Sequence, residues 1–420
     1  MTASDMLTLT FAAFLLAGLG VKFWLATRQV RHVARHRDNV PAAFAGTITL
    51  GAHQKAADYT MTKTRFGLLE LAFGTAVLVA WTLLGGLAAL NQHLLDGLGS
   101  GMAQQLALIA GFALITGAIE LPVTLYETFV IEERFGFNKM TLKLWLADLV
   151  KSSLLGAVIG LPIAALILWL MGAAGSLWWL WAWAVWMAFN LLLLVAYPTF
   201  IAPIFNKFKP LEDETLKARV TELMRRCGFA AKGLFVMDGS KRSAHANAYF
   251  TGFGAAKRVV FYDTLLAKLS PGEVDAVLAH ELGHFKHKHI IKRIAGLFAM
   301  SLAGFALLGW LSSQTWFYTG LGVRPNLSGP NDALALLLFM LAVPVFSFFV
   351  SPFTALLSRK HEFEADAYAV AQTSGKDLST ALLKLYEDNA STLTPDPVFV
   401  KFYYSHPPAS ERLARVGSTA

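Results

Sequence analysis

The sequence has 420 residues, of which 55% are hydrophobic and only 15% are charged. A soluble domain carries about 25% charged residues, so this composition argues against a soluble protein and predicts one embedded in a lipid bilayer. The net charge of +8 is explained by basic cytoplasmic loops and does not require nucleic acid as a partner. The single cysteine, Cys227, excludes an intrachain disulfide and is typical of a reducing compartment.

Apolar runs long enough to cross a bilayer divide the chain. The first has no basic region before it and no cleavage site after it, so we expect a membrane anchor rather than a signal peptide. The sequence therefore predicts a multi-pass, mainly α-helical membrane protein with seven spans. They cover residues 6–26, 66–90, 104–129, 145–172, 177–200, 291–318 and 333–357.

The basic residues of the connecting loops predict the orientation of these spans. Residues 27–65 contain seven Lys and Arg residues, which favours the cytoplasm by the positive-inside rule. The loops at 91–103 and 172–176 contain neither Lys nor Arg, as expected outside. Alternation then puts the N-terminus outside, and residues 201–290 and the C-terminal segment in the cytoplasm.

Four polar residues lie within or at the ends of the apolar runs: Glu70, Glu120, Lys151 and Asn190. A charged side chain that faces lipid is costly, so such residues face a bundle interior or a water-filled cavity. The alternative is that they pair with one another or lie near the interface. The sequence leaves both interpretations open.

Residues 201–290 have the patterns of a small α+β unit. Apolar residues at helical spacing predict a helix at 211–227 that ends at Gly228. Runs rich in β-branched and aromatic residues predict three short strands, with glycine-containing hairpin turns between them. The predicted strands cover residues 233–238, 246–254 and 258–263.

The next helix is predicted to begin at Ser270, which can cap it, and it carries the sequence HELGH at residues 280–284. His280 and His284 are four residues apart and share one helix face, so both can bind the same zinc ion. Glu281 lies about 100° round the helix and can reach a water on that metal. The pattern predicts a zinc peptidase site with Glu281 as its general base.

A catalytic zinc normally has three protein ligands, so one more is required. His287 and His289 follow closely, but neither suits a helix that continues unbroken. The second turn of the helix cannot easily fold His287 back onto the metal. His289 would lie about 180° from His280.

Glu362 and Asp366, after the seventh span, are also four residues apart and can point in the same direction. One carboxylate can bind zinc while the other accepts the second N–H of a ligating histidine. His361 and Glu364 are rotated off that face and remain as alternatives.

Other motifs follow one another in an order that one protein family shares. They are ERFGFNK at 133–139, SKRSAHANAYF at 240–250, FYDTLL at 261–266 and YSHPP at 404–408. With HELGH and the EFEAD sequence at 362–366, they make the chain resemble the type I CAAX prenyl protease (CAAX prenyl protease 1) family of integral-membrane zinc metallopeptidases. The short loops resemble those of a bacterial member, for which the inner membrane is expected.

The resemblance implies a fold and a role for each matching residue. The fold is a mainly α polytopic membrane protein whose seven helices enclose a chamber, with a small α+β, gluzincin-type zinc peptidase domain on the cytoplasmic side. One zinc ion is expected per chain. The implied zinc ligands are His280, His284 and Glu362, with Asp366 behind them. Glu281 is the implied base and His406 a second catalytic residue. Asn247 and Arg412 are implied to bind the substrate.

The expected function is hydrolysis of peptide bonds in membrane-associated peptides or proteins, with C-terminally prenylated CAAX sequences as the substrate class that the resemblance implies. A heat-shock-type membrane quality-control protease is the alternative with the same zinc site. We expect four parts. They are spans one to five at 1–200, the α+β catalytic segment at 201–290, spans six and seven at 291–357, and a C-terminal segment at 358–420 that completes the site.

Overall fold

A computed structural model describes residues 1–229, 233–251 and 258–419. Within these ranges, seven helical segments are long and apolar enough to cross a membrane, which confirms the predicted number. They are Ala3–His36, Leu50–Trp81, Met102–Glu132, Leu142–Ala173, Gly175–Phe205, His289–Leu311 and Asp332–Gln372.

Helices make up most of the described chain. In chain order they are α1 (Ala3–His36), α2 (Leu50–Trp81), α3 (Gly86–Leu98), α4 (Met102–Tyr126), α5 (Leu142–Ala173), α6 (Trp178–Ala196), α7 (Ala202–Phe205), α8 (Glu214–Arg226), α9 (Asp263–Leu266), α10 (Pro271–Lys286), α11 (His289–Leu311), α12 (Thr315–Gly320), α13 (Asp332–Ser347), α14 (Ser351–Gln372), α15 (Gly375–Asp388), α16 (Pro397–Tyr403) and α17 (Ala409–Thr419). Two π-helical turns, Glu127–Glu132 and Tyr197–Ile201, prolong α4 and α6.

The ends of several spans differ from those predicted. The second span was expected at 66–90, but α2 begins at Leu50 and ends at Trp81. Gly85 then has a φ of 80°, which favours glycine, and a separate helix starts at Gly86. The seventh span continues through α13 and α14 to Gln372. Hydropathy marks only the apolar part of such a helix, so the span was predicted to end at 357, separate from the helix expected at Glu362 and Asp366.

The small sheet contains strands β1 (Phe208–Pro210), β2 (Gly233–Met237), β3 (Ala248–Thr251) and β4 (Arg258–Tyr262), in the order β1-β2-β4-β3. The three predicted strands are present, although residues 252–254 of the second lie outside the described ranges. β3 and β4 are antiparallel and β2 and β4 are parallel. Because β4 lies between β2 and β3, the hairpin expected between the first two predicted strands, 233–238 and 246–254, is wrong. The predicted helix is α8, and Gly228, with a φ of 67°, follows it.

The polar residues of the spans do not share one environment. Lys151 donates to the backbone oxygen of Ile204 over 3.2 Å, and the Asn190 amide donates to that of Trp186 over 2.7 Å. These two side chains are therefore satisfied by nearby backbone. Glu70 is half-buried and Glu120 is exposed.

The close packing of α10 against α14 positions the site. A Cβ atom on Gly283 would lie 2.9 Å from the Cα atom and 3.1 Å from the backbone oxygen of Ala365, so only glycine allows this approach. Val274, Leu278 and Leu282 of α10 are buried in a core shared with α8, β4, α14 and α15. Burial of this apolar face holds α10 against these elements.

Helix α10 does not continue into the sixth span. It ends at Lys286, and Lys288 adopts the left-handed conformation with φ 56° and ψ 31°. Helix α11 then begins at His289. The assumption of an unbroken helix, on which His289 was placed about 180° from His280, is therefore wrong.

Candidate metal centre

Two separate helices bring the predicted metal-binding residues together. His280 and His284 lie on α10, which starts where the backbone N–H of Ser270 donates to Glu273 Oε2 over 2.7 Å, as expected for a capping box. Glu362 lies on α14, and its side chain faces the two histidines. His280 and Glu362 are 8% and 5% exposed, so the cluster is nearly closed to solvent.

Each histidine offers one ring nitrogen to the cluster, and each carboxylate oxygen of Glu362 faces one of these nitrogens. The Nε2 atoms of His280 and His284 are 3.2 Å apart. Glu362 Oε2 is 3.4 Å from Nε2 of His280, and Oε1 is 3.4 Å from Nε2 of His284. Tetrahedral ligands about 2.0–2.1 Å from a zinc ion would be separated by about 3.3–3.4 Å, so the spacing fits such an ion.

The hydrogen bonding of the cluster points to the same conclusion. Glu362 Oε2 is buried and accepts no hydrogen bond within the part of the chain that the structure describes. A buried carboxylate oxygen without a partner is costly in a folded protein. A cation held by two ring nitrogens and this carboxylate would satisfy it, so the donor set fits a metal ion.

The other ring nitrogen of His280 is held by a buried pair of charges. Asp366 Oδ1 lies 2.8 Å from His280 Nδ1, and Arg412 of α17 donates through Nε to Asp366 Oδ2 over 2.8 Å. Arg412 Nη2 also donates to Asp366 Oδ1. With Nδ1–H bonded to Asp366, Nε2 of His280 is directed at the cluster.

Without a metal, the two histidines have opposite shifts in pKa. Burial tends to lower the pKa of His280, but its hydrogen bond with Asp366 and the nearby Glu362 carboxylate outweigh this and raise it to about 9. Burial and the neighbouring His280 lower the pKa of His284 to about 4. The two histidines therefore differ in how readily they bind a proton, and a metal ion would compete with a proton for the ring nitrogen of His280.

Glu281 is half-buried, and loss of hydration raises its pKa. The charge of His280 opposes this shift, while that of Glu362 adds to it. A carboxylate with a raised pKa is a stronger base than an exposed glutamate. This property suits Glu281 to proton transfer.

His406 reaches the cluster from the loop between α16 and α17. Its Nε2 atom is 3.5 Å from Glu362 Oε1, and its side chain is 64% exposed. Loss of hydration lowers the pKa of His406, against the opposite effect of Glu362. The ring lines a cavity of about 610 Å³, whose wall also includes Tyr59 and Lys63 of α2 and Tyr386 of α15.

Asn247 does not reach the cluster through any described contact. Its side-chain oxygen accepts from the backbone N–H of Ala248 over 2.8 Å, which is the local turn-capping role of an asparagine. Its backbone oxygen accepts from Tyr262 N–H over 3.0 Å, at the start of β3. This strand is last in the sheet order, so its outer edge is where an extended peptide can add.

Sequence reasoning missed Arg359, which anchors the loop that carries His406. Its Nη1 atom donates to the backbone oxygen of Val400 over 3.0 Å and to that of Tyr404 over 2.8 Å. Arg359 is 9% exposed and lies three residues before Glu362, on the same side of α14. The available signal in the sequence was the position of Arg359, one helical turn before the proposed ligand Glu362.

Known proteins match nearly the whole chain. The model for the CAAX prenyl protease N-terminal region, with five membrane helices, matches residues 29–207, and the model for peptidase family M48 matches residues 210–420. The chain is 33% identical to CAAX prenyl protease 1 homolog of Arabidopsis thaliana, across 97% of this chain and 96% of that one. The chain belongs to the CAAX prenyl protease 1 family of M48 peptidases.

Other members of the CAAX prenyl protease 1 family extend the match. CAAX prenyl protease 1 of Saccharomyces cerevisiae is 32% identical across 96% of this chain and 94% of its own. The crystal structure of Ste24p from S. mikatae superposes with a TM-score of 0.91 at 30% identity, and it covers 98% of this chain and 99% of that one. The predicted family, the fold and the metallopeptidase class are therefore confirmed, and the chain is a multi-pass integral membrane protein.

Proposed function

We propose that this protein is a zinc endopeptidase that cleaves C-terminally prenylated CAAX peptides or proteins in the membrane. The observation that carries the proposal is the cluster of His280, His284 and Glu362, whose ring nitrogens and carboxylate oxygens have separations close to those of ligands in a tetrahedral zinc site. Support for the substrate comes from relatives named CAAX prenyl protease 1 that match the chain almost end to end.

In this proposal His280, His284 and Glu362 hold one zinc ion per chain. A zinc ion in such a site lowers the pKa of a bound water and polarises a carbonyl group. Glu281 accepts the proton of the attacking water and later delivers it to the leaving amine. Its raised pKa makes it a stronger base than an exposed glutamate.

The residues around the cluster orient these groups. Asp366, itself held by Arg412, fixes the tautomer of His280. His406 lies beside Glu362, at the edge of the proposed metal site. From there it can donate a hydrogen bond to the oxygen of a scissile carbonyl bound at that site. Asn247 and the outer edge of β3 align the peptide as an added strand.

We also propose an orientation and a division of the chain. The N-terminus lies outside and the site lies on the cytoplasmic side, in the inner membrane of a bacterium, because the short loops are as expected there and residues 27–65 are strongly basic. The functional parts are the spans at 1–200 and 291–357, the catalytic segment at 201–290 and the completing segment at 358–420.

The test compares two peptides with purified protein. One ends in a farnesylated CAAX sequence, and the other is identical without the farnesyl group; each is incubated with and without a zinc chelator. We expect cleavage of the farnesylated peptide, loss of cleavage on chelation and recovery on adding zinc. Equal cleavage of both peptides would contradict the proposed substrate class, and cleavage that resists complete zinc removal would contradict the proposed chemistry.

A further inference from the structure

A second chain of hydrogen bonds lies behind the proposed metal ligands, on the side away from Asp366. The Nδ1 atom of His284 is 3.0 Å from Nδ1 of His289. The Nε2 atom of His289 is 2.8 Å from Glu364 Oε2. His289 is 4% exposed, whereas Glu364 is 32% exposed and reaches the surface.

The positions of the protons along this chain follow from the role of His284. A neutral histidine that binds a metal through Nε2 carries its proton on Nδ1. That proton can only be donated to Nδ1 of His289, which must therefore be an acceptor. The proton of His289 is then on Nε2, where it is donated to the carboxylate of Glu364. Each ring nitrogen of His284 and His289 is then a metal ligand, a donor or an acceptor, and each N–H proton has one acceptor.

We propose that His289 and Glu364 are positioning residues, which orient the ring of His284 and increase its basicity as a metal ligand. The inference rests on the proposed function, because it takes His284 as a ligand. It gives the second histidine of HELGH the kind of support that Asp366 and Arg412 give the first. Outer partners of this type fix the tautomer and direction of a ligating ring.

The break between α10 and α11 makes this contact possible. On a continuous helix, His289 would lie about 140° from His284, which is five residues before it. The left-handed conformation of Lys288 separates the end of α10 from the start of α11 at His289. The side chain of His289 can then turn back to His284 and also reach α14, which carries Glu364.

A second metal site is the competing explanation, because donor atoms of His289, His361 and Glu364 lie within 4.8 Å of one another. The rings of His289 and His361 are stacked, with centroids 4.0 Å apart and planes 14° apart. The lone pair of an imidazole nitrogen lies in the plane of its ring, so stacked rings direct theirs side by side rather than towards one point. Both nitrogens of His289 also already have partners, which favours positioning.

The test measures the zinc affinity of metal-stripped protein by competition with a chromophoric chelator. His289→Leu should weaken binding roughly 10- to 100-fold, the usual effect of losing an outer partner. His289→Asn should recover much of that loss, since its amide oxygen can replace Nδ1 as the acceptor. Glu364→Ala tests the outer bond with little risk to folding, because this side chain is partly exposed. In all three variants kcat should fall more than KM rises.

His361→Ala is the matched control, because it removes the ring stacked on His289 but no hydrogen bond of the chain. It should bind zinc like the wild type. Wild-type affinity in folded His289→Leu, or equal weakening in His361→Ala and His289→Leu, would overturn the positioning role. Two zinc ions per wild-type chain would overturn it in favour of a second site. A wild type that binds no zinc would overturn the proposed function as well.

Discussion

Glu362 and Asp366 share one face of α14, but their neighbours give them different tasks. The sequence predicts that both point the same way and that one of them binds the metal. It cannot decide between them on spacing alone. The difference depends on Arg412, which lies 46 residues after Asp366 and donates two hydrogen bonds to it. A contact at that distance along the chain has no local signature.

Glu281→Gln should separate metal binding from proton transfer. Glutamine has nearly the same shape but cannot accept a proton, so kcat should fall by about 10²- to 10⁴-fold. Zinc content, measured by atomic emission on purified protein, should stay at the wild-type level. Activity near that of the wild type would contradict the assignment of Glu281 as the base.

Glu362→Gln should remove the charged ligand and weaken zinc binding by more than about 100-fold, beyond the usual effect of an outer partner. The measurement is zinc retained after dialysis against a mild chelator. His361→Ala, one residue earlier, is the control and should retain zinc. The reverse pattern would identify His361, the alternative that the sequence left open, as the ligand.

The helices show what hydropathy and periodicity can predict and what they cannot. Seven spans were predicted because long apolar runs have few alternatives. A helix carrying Glu362 and Asp366 was predicted, but its continuity with the seventh span was missed, since hydropathy ends the span where residues 358–366 become polar. The break at Lys288 was missed too. Lysine does not favour the left-handed conformation, so its presence in the sequence did not indicate that the helix ends there.

Gly283→Ala should disturb the packing of α10 on α14. The added methyl group would lie 2.9 Å from Ala365 Cα, so the helices must separate, at a cost of about 1–3 kcal/mol. We expect a lower midpoint of thermal unfolding and weaker zinc binding, because the same separation moves His284 from Glu362. Gly296→Ala in α11 is the control, as a Cβ there meets nothing within 4 Å. Equal effects of both substitutions would contradict the close-approach argument.

At the scale of the whole molecule, the site joins α10, before the sixth span, to α14, at the end of the seventh. The α+β segment contains only two of the three proposed ligands. Sequence reasoning recovered this arrangement because the resemblance supplied Glu362. Spacing alone had narrowed the third ligand to Glu362 or Asp366, with His361 and Glu364 as alternatives. A soluble fragment of residues 201–290 would lack the third ligand altogether.

Single cysteines can test the proposed orientation, because replacing Cys227 by serine leaves a chain without cysteine. In that background, Ala3→Cys should react with a membrane-impermeant maleimide added to intact cells, and Lys376→Cys should react only after lysis. Both positions are exposed, so access depends on the side of the membrane. Labelling of position 376 in intact cells would contradict a cytoplasmic site.

The separation of the proposed ligands along the chain also sets a schedule for synthesis. Glu362 follows His280 by 82 residues, and both membrane spans between them must be made first. At about 5–20 residues per second, Glu362 is synthesised roughly 4–16 s after His280. A nascent chain therefore has no complete peptidase site while its last spans are being inserted. The order of the sequence itself delays proteolytic activity until the membrane part has been built.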